Sequence, residues 1–176
     1  LRRIDVLLEP TKDALLTMKQ KLDESNIQNQ DPILYNVTGY PFFNTSKFTM
    51  KTLKSETDPL RLKMNFTDYL NGFSKDVQDI IDKFHLRQMV DNLTEAERLG
   101  SIIEKLTDDT INLCNQPVLD DNQNVRLPGP DNHTMGTIFE ELLRKFNEEN
   151  NVTEAGEHFT PRDYVKLLAD LAVLPI

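Results

Sequence analysis

One short segment near the end of the sequence combines side chains that could bind a small charged ligand. It runs from Gly156 to Asp163 and reads Gly-Glu-His-Phe-Thr-Pro-Arg-Asp. Thr160 is predicted to be the N-cap of a helix whose first position is Pro161, a common arrangement at helix starts. The free amides and partial positive charge of such a helix start can hold a carboxylate or a phosphate.

Neighbouring side chains add to this predicted site. Glu157 could accept hydrogen bonds from an ammonium group or from ribose hydroxyls, and Phe159 could form an apolar wall. His158 fits ligand contact and an exposed turn equally well. On these residues alone, an ordinary helix start without a ligand is the competing interpretation.

Helical periodicity is the main pattern in the elements that would position this segment. One uninterrupted apolar stripe predicts a helix before it: Met135, Ile138, Phe139, Leu142, Leu143 and Phe146. A last helix is predicted from Pro161 to about Val173. Further helices are predicted upstream, with inward faces at Leu1, Ile4, Leu7 and Leu8; Ala14, Leu15, Met18 and Leu22; Phe66, Tyr69, Leu70 and Phe73; Val77, Ile80, Ile81 and Phe84; and Leu99, Ile102, Ile103 and Leu106.

Several residues mark where these helices begin. Asp58 and Pro59 are predicted as the cap and first position of one helix, and Ser74 as the cap of the next. The segment from Thr94 to Glu97 has the spacing of a capping box. Residues 25–57 are polar, but their aromatic residues predict that this stretch packs against the helices. These are Tyr35, Tyr40, Phe42, Phe43 and Phe48.

The order of these patterns predicts an all-α protein with a break in the middle. No internal repeat and no convincing alternating strand is present, and the periodicity disappears between Asn115 and Asp131. We therefore expect a helical N-terminal domain over residues 1–120, a linker loop over 121–133 and a second region over 134–176.

The composition limits the possible functions. The chain has 20 basic and 29 acidic residues, a net charge of −9. This argues against a general nucleic-acid binder, because phosphate contacts require a basic face. Two small basic groups are interpreted as solvated faces. They contain Lys47, Lys51 and Lys54, and Arg61 and Lys63. No apolar run approaches the ~18 residues of a membrane-spanning helix.

Cysteine usage indicates the compartment. The one cysteine, Cys114, cannot form an internal disulfide, so we expect a cytoplasmic protein and a buried, inert thiol at a helix end. Six Asn-x-Ser/Thr triplets keep a secreted glycoprotein open as an alternative, although helix capping is a simpler explanation for several of them. The triplets begin at Asn36, Asn44, Asn65, Asn92, Asn132 and Asn151.

No other constellation predicts chemistry. His85, His133 and His158 are far apart and lack partner cysteines, so no metal site is expected. The pairs Asp120-Asp121 and Glu148-Glu149 are interpreted as solvated charges rather than as acid–base pairs.

Ordered segments along the chain resemble the M (methyltransferase) subunits of type I restriction–modification systems. Met135–Phe146 followed by Ala155–Arg162 is similar to the start of that family's catalytic region. The family's helical N-terminal region is similar to four earlier segments, which are Leu1–Asp5, Leu8–Ala14, Phe43–Ser46 and Asp68–Ser74. The similarity covers most of the chain in order. Residues 115–131 are the least similar part.

This resemblance implies an activity and partners. The family transfers a methyl group from S-adenosyl-L-methionine to the 6-amino group of adenine in DNA. A separate specificity subunit reads the target and assembles with two M subunits, and a motor-nuclease restriction subunit adds cleavage. The family's Phe-Thr-Pro segment lies against the methionine end of the cofactor. By position, the expected cofactor-binding residues are Glu157, His158, Phe159, Thr160, Pro161 and Arg162.

Two motifs of the family are missing. No two of the six glycines are spaced as Gly-x-Gly, and no Pro-Pro pair is present. The glycine-rich cofactor loop and the catalytic Asn-Pro-Pro-Tyr/Phe motif, which holds the flipped adenine, are therefore absent. We expect no catalytic residue in this segment and no activity of the segment alone.

We therefore interpret the chain as a piece cut from a longer bacterial or archaeal protein. Its helical domain would contact DNA and the other subunits, and would lead into a truncated Rossmann-like methyltransferase domain. The alternative from another class is a non-enzymatic helical interaction module that shares only helix-capping patterns.

Overall fold

The computed structural model describes residues 1–149 and 162–173, with side chains over 1–145 and 164–173. The described residues form ten α-helices, one short 3-10 helix (Glu9–Thr11) and one short antiparallel hairpin. The helices are α1 (Arg2–Leu8), α2 (Lys12–Glu24), α3 (Asp31–Thr38), α4 (Met50–Lys54), α5 (Pro59–Asn71), α6 (Lys75–Lys83), α7 (Leu86–Glu95), α8 (Leu99–Leu106), α9 (Asn132–Glu149) and α10 (Arg162–Val173). The hairpin strands are β1 (Val118–Leu119) and β2 (Val125–Leu127). The predicted helical class is confirmed.

The chain divides into two compact units, Leu1–Pro130 and Asp131–Ile176. The buried apolar core of the described residues belongs to the first unit. Its larger part is built on α5, whose Leu62, Phe66, Tyr69 and Leu70 are all buried. A smaller cluster joins α2 and α3 through Leu15, Leu22, Leu34 and Phe43.

Some predicted inward faces are buried only in part. The stripe from Phe66 to Phe73 is buried as predicted. On α6, however, Val77 and Ile81 are buried while Ile80 is 48% and Phe84 66% exposed. The prediction was wrong for these two residues because α6 is only nine residues long and one narrow stripe of it meets the core.

The aromatic residues of the polar stretch 25–57 pack as predicted. Phe43 is buried in the smaller cluster, and Tyr35 packs against it. Tyr40, Phe42 and Phe48 pack against the larger cluster. These rings bury apolar surface against the helices, and this packing anchors the stretch to the domain.

The predicted helix starts have different outcomes. Asp58 caps α5 by accepting the amides of Leu60 and Arg61 at 2.8 and 3.1 Å, as expected. Ser74 holds the N-cap position of α6, but its side chain makes no capping hydrogen bond. Its buried hydroxyl has no partner among the described residues.

The predicted capping box at Thr94 is wrong. Thr94 lies inside α7, and its hydroxyl donates to the carbonyl of Val90 at 2.7 Å. Glu97 adopts the left-handed conformation (φ +54°), and the Arg98 amide donates to the Leu93 carbonyl at 2.8 Å. This is a Schellman ending, so the Thr-x-x-Glu segment closes α7 instead of opening α8.

The hairpin was not predicted. Its strands have two and three residues, too few to show alternation. The turn is held by Asp120, whose carboxylate accepts the amides of Asn122 and Asn124 at 2.9 and 2.8 Å. These amide hydrogen bonds, above all that of Asn124, lower the pKa of Asp120. Asp120 therefore has a structural role in the loop.

The capping explanation for the Asn-x-Ser/Thr triplets is wrong for three of them. Asn36, Asn65 and Asn92 lie inside helices rather than at their starts. Asn44 is 2% exposed and hydrogen-bonded to the protein, so its amide is closed to a glycan. Asn151 lies outside the described residues.

Within the described part of the chain, no helix combines the length and apolar character required to cross a membrane.

Candidate functional site

The predicted cofactor segment lies almost entirely outside the described residues. Glu157, His158, Phe159, Thr160 and Pro161 belong to that stretch, and Arg162 is the first residue of α10. The predicted last helix is confirmed, since α10 runs from Arg162 to Val173. A helix therefore starts at the place where the sequence predicts anion-binding amides.

The two helices of the second unit expose apolar side chains. On α9, Phe139 and Leu142 are each 61% exposed, and Ile138 and Leu143 are each 39% exposed. The apolar residues of α10 are more than half exposed; they include Tyr164, Leu167, Leu168 and Leu171. The part of the predicted α9 stripe from Ile138 to Leu143 therefore lies in a helix but is exposed among the described residues.

In the first unit, polar side chains converge on the buried carboxylate of Asp5, which is 6% exposed. Arg2 donates to it at 2.8 Å and Tyr69 at 3.2 Å. The amide of Met50, the first residue of α4, lies 3.3 Å from each carboxylate oxygen. Asp5 thus joins α1, α4 and α5.

The environment of Asp5 has opposing effects on its protonation. Burial raises the pKa of this carboxyl above its ordinary value, while the Met50 amide, the Arg2 charge and the Tyr69 hydroxyl act to lower it. Burial, followed by the nearby Asp5 charge, also raises the pKa of Tyr69. Desolvation is therefore the strongest effect on the pKa of both Asp5 and Tyr69.

The two arginines of α1 bond to main-chain carbonyls at the end of α8 and in the segment after it. The Arg2 Nε donates to the carbonyl of Leu106, the last residue of α8, at 3.2 Å. Arg3 donates to the carbonyl of Leu113 at 2.5 Å. A cation at the carboxyl end of a helix satisfies free carbonyls and complements the helix dipole.

Two further segments meet at Gly72. The Asn44 side chain donates to the Tyr69 carbonyl at 3.0 Å and accepts the Ser46 amide at 2.8 Å. The Thr45 amide donates to the Gly72 carbonyl at 2.7 Å. A Cβ atom on Gly72 would lie 2.4 Å from both the Asn44 Oδ1 and the Ser46 nitrogen. Only glycine fits at this crossing.

Lys12 connects this junction to α2. Its ammonium donates to the Asn44 carbonyl at 3.0 Å. Burial lowers the pKa of Lys12 to about 8, although the Asp5 charge acts to raise it. The four early segments that resemble the M subunits thus converge around one buried polar network.

This network holds the helices together and contains no arrangement for catalysis. The described residues include no cluster of three or more His, Cys, Asp or Glu side chains that could hold a metal ion. The predicted position of Cys114 at a helix end and its predicted full burial were wrong, because this half-buried residue lies after α8 in the chain, outside any described helix. It lines a cleft of about 400 Å³ together with Arg2, Arg126 and the apolar side chains of Val6 and Leu127.

The sequence predicts that Tyr69 lies on a buried helix face, but it does not predict the hydrogen bond from Tyr69 to Asp5 or the close approach at Gly72. A usable signal was present for Asp5, which is a carboxylate inside the apolar stripe of α1. A charge at such a position requires a buried partner.

Comparison with protein families assigns both parts of the chain. The HsdM N-terminal domain family matches residues 1–106, and the N-6 DNA Methylase family matches residues 130–174. Searches of curated proteins and of solved structures gave no significant match.

The first match covers most of the helical unit, and the second covers α9, α10 and the predicted cofactor segment between them. The chain therefore belongs to the family of M subunits of type I restriction–modification systems.

A change at the Asp5 carboxylate should alter the pH dependence of stability. The pKa of Asp5 is raised in the folded chain, so its contribution to stability is greatest below the unfolded value, near 3.8, and decreases as pH rises through the folded value. The unfolding free energy of the wild type relative to Asp5→Asn should therefore fall as the pH rises above about 3.8, as measured by urea unfolding at several pH values.

Tyr69→Phe is the matched control for this experiment. The Tyr69 hydroxyl acts to lower the pKa of Asp5. Its removal should raise that pKa further and shift the loss of stability to higher pH. A difference between wild type and Asp5→Asn that does not vary with pH contradicts the proposed role of the carboxyl.

Gly72→Ala should destabilise the helical unit, because the new methyl group would meet main-chain and side-chain atoms of Asn44 and Ser46. We expect a loss of about 1–3 kcal/mol of unfolding free energy. Gly100→Ala is the control, since its nearest atom is 3.6 Å away and it lies in α8. That variant should change stability by less than about 1 kcal/mol, in the favourable direction. Equal effects of the two substitutions in thermal or urea unfolding would show that the crossing tolerates a side chain.

Proposed function

We propose that this chain acts within an M subunit that transfers a methyl group from S-adenosyl-L-methionine to the 6-amino group of adenine in DNA. The observation that carries the proposal is the N-6 DNA Methylase match over residues 130–174, which includes the whole predicted cofactor segment. This proposal assigns Glu157, His158, Phe159, Thr160, Pro161 and Arg162 to one edge of the cofactor pocket.

The residues of this segment fit the methionine end of the cofactor. The start of α10 at Arg162 offers the unpaired amides of a helix amino end, which suit an α-carboxylate. Glu157 has the charge to accept from the α-ammonium group, and Phe159 has an apolar ring for the thioether region. His158 is assigned to the edge of this pocket without a separate chemical role.

The bound cofactor supplies an electrophilic methyl group. Residues 157–162 would hold the cofactor that donates this methyl group to the adenine amine. This chain carries no Asn-Pro-Pro motif to hold the adenine amine. We therefore assign cofactor binding to this chain, and not the binding of the target base.

We assign the helical unit to assembly and DNA contact. The Asp5 network lies inside this unit. In our proposal the outer surface of the unit contacts a specificity subunit, a second M subunit and DNA. The protein would work in the cytoplasm beside a motor-nuclease restriction subunit.

Calorimetric titration of S-adenosyl-L-methionine into the intact M subunit tests the cofactor assignment. A Phe159→Ala, Thr160→Ala variant should bind at least about tenfold more weakly, because it loses the helix cap and the apolar wall. A Phe159→Leu, Thr160→Ser variant keeps a capping hydroxyl and an apolar side chain, and it should bind close to wild type.

Circular dichroism of both variants establishes that the fold is retained. Equal binding by wild type and the alanine variant would leave the Phe-Thr-Pro segment as an ordinary helix start. Binding by none of the three proteins would instead support a helical interaction module.

The assembly role has a separate test. Removal of residues 1–120 from the intact M subunit should abolish its co-purification with the specificity subunit, because the helical unit that carries the contact surface is lost. Size-exclusion chromatography of the mixed proteins measures this. A complex of unchanged size with the shortened subunit would assign assembly to the catalytic region.

A further inference from the structure

Asn71 is followed by Gly72, which is the one Asn-Gly pair in the sequence. Asn71 is exposed and is the last residue of α5. In such a pair the main-chain nitrogen of glycine can attack the side-chain amide carbon of asparagine, because glycine has no Cβ to obstruct the approach. Asn71 is therefore the asparagine of this chain whose neighbour most favours loss of the side-chain amide.

The structure requires both members of this pair. A Cβ atom on Gly72 would lie 2.4 Å from both the Asn44 Oδ1 and the Ser46 nitrogen. The Asn71 Oδ1 accepts a hydrogen bond from the Arg87 guanidinium at 2.5 Å. A chemically labile pair is thus fixed in the α5–α6 corner, as we call residues 71–75, where no side chain fits after Asn71.

Arg87 and Gln78 hold Asn71 in place within this corner. The Arg87 guanidinium also donates to the Asp82 carboxylate at 3.2 Å and to the Gln78 Oε1 at 2.6 Å. The Gln78 Nε2 in turn donates to the main-chain carbonyl of Asn71 at 2.7 Å. Both oxygens of Asn71 are therefore hydrogen-bonded, and neither its side chain nor its peptide group can rotate without breaking these bonds.

The folded corner keeps the reacting atoms apart. Ring closure requires the Gly72 nitrogen to lose its proton and to turn toward the Asn71 Cγ. In the structure the Gly72 amide donates to the Asp68 carbonyl at 3.1 Å, and Gly72 has helical torsions (φ −74°, ψ −13°). Arg87 polarises the side-chain carbonyl that would be attacked, but polarisation has little effect until the nucleophile reaches attack distance. The geometry of the corner therefore protects Asn71.

We propose that Asn71 is a deamidation site that reacts when the α5–α6 corner opens. The deprotonated Gly72 nitrogen then bonds to the Asn71 Cγ, and the side-chain nitrogen leaves as ammonia, which gives a five-membered imide. One water molecule hydrolyses this imide at either of its two carbonyls. Position 71 becomes aspartate or isoaspartate, and the complete reaction consumes one water and releases one ammonia.

The two products have different effects on the α5–α6 corner. Aspartate leaves the main chain unchanged, and its carboxylate would accept the Arg87 hydrogen bond as a charged acceptor. Isoaspartate routes the main chain through the side-chain Cγ, which adds one carbon before Gly72. Gly72 has no free space at the crossing, and its carbonyl accepts the Thr45 amide at 2.7 Å. The longer main chain of isoaspartate would therefore prevent the corner from closing.

Peptide mapping by mass spectrometry tests the proposal on the full chain, incubated in mildly alkaline buffer with and without concentrated guanidinium chloride. Asn71 should be converted at least about tenfold faster in the unfolded chain, because in the folded chain the corner must first open. Arg87→Met should raise the rate in the folded chain severalfold. The matched control is Arg61→Met, which removes an exposed arginine near the other end of α5 and should leave the rate unchanged.

Four outcomes would overturn the proposal. They are no conversion of Asn71 in the unfolded chain, equal rates in the folded and unfolded chains, a folded Arg87→Met chain that reacts at the wild-type rate, and equal acceleration by both arginine variants. The last outcome would assign the effect to a general loss of stability. Circular dichroism establishes that the variants are folded, and the comparison of folded with unfolded wild type does not depend on either variant.

The products provide a second test. Chromatography separates the isoaspartate form from the unmodified chain, and the isoaspartate form should unfold at a lower urea concentration. Equal unfolding midpoints would show that the crossing at Gly72 accommodates an additional main-chain carbon, which contradicts the predicted effect of isoaspartate on the corner.

Discussion

A buried carboxylate is the constraint on which the helical unit depends. Removing a charge from water is costly unless the charge is paired and hydrogen-bonded, and Asp5 meets this requirement with partners from three helices. Each partner comes from a different part of the sequence, so none of these helices can move without leaving a buried polar group unsatisfied. The apolar core gives the unit its stability, while this carboxylate specifies one arrangement of α1, α4 and α5.

The segments that resemble other M subunits therefore fall into two groups, one related to the fold and the other to the proposed chemistry. Those before residue 75 meet at the Asp5 network and at the Gly72 crossing, where their polar groups bind one another. The similarity of these early segments therefore indicates a shared fold. The cofactor proposal depends on the segment at 157–162, which belongs to the second family match. Similarity in the first unit identifies the family, and similarity in the second is the basis for the proposed chemistry.

The sequence was sufficient for features determined by local patterns. The α5 stripe, its Asp58 cap and the last helix follow from spacing and capping, and all three are present. Features that depend on distant partners were not predictable. Glu97 adopts the left-handed conformation at the end of α7, which residue propensity disfavours, and Phe84 is not covered by any of the described elements. In the candidate site, the helix start at Arg162 was predictable, but the roles of Asp5 and Gly72 required contacts across 64 and 28 residues of chain.

The hydrogen bonds from Arg2 to Leu106 and from Arg3 to Leu113 join residues more than a hundred positions apart. α1 is therefore synthesised about a hundred residues before the segment that supplies these carbonyl groups. Arg2 lacks its carbonyl partner until Leu106 has been synthesised, and Arg3 lacks its partner until Leu113 has been synthesised. Because such distant contacts form late, the helical unit can reach its final packing only when nearly all of it has been synthesised. During translation, the contacts of α1 with Leu106 and Leu113 would then be among the last to form in this unit.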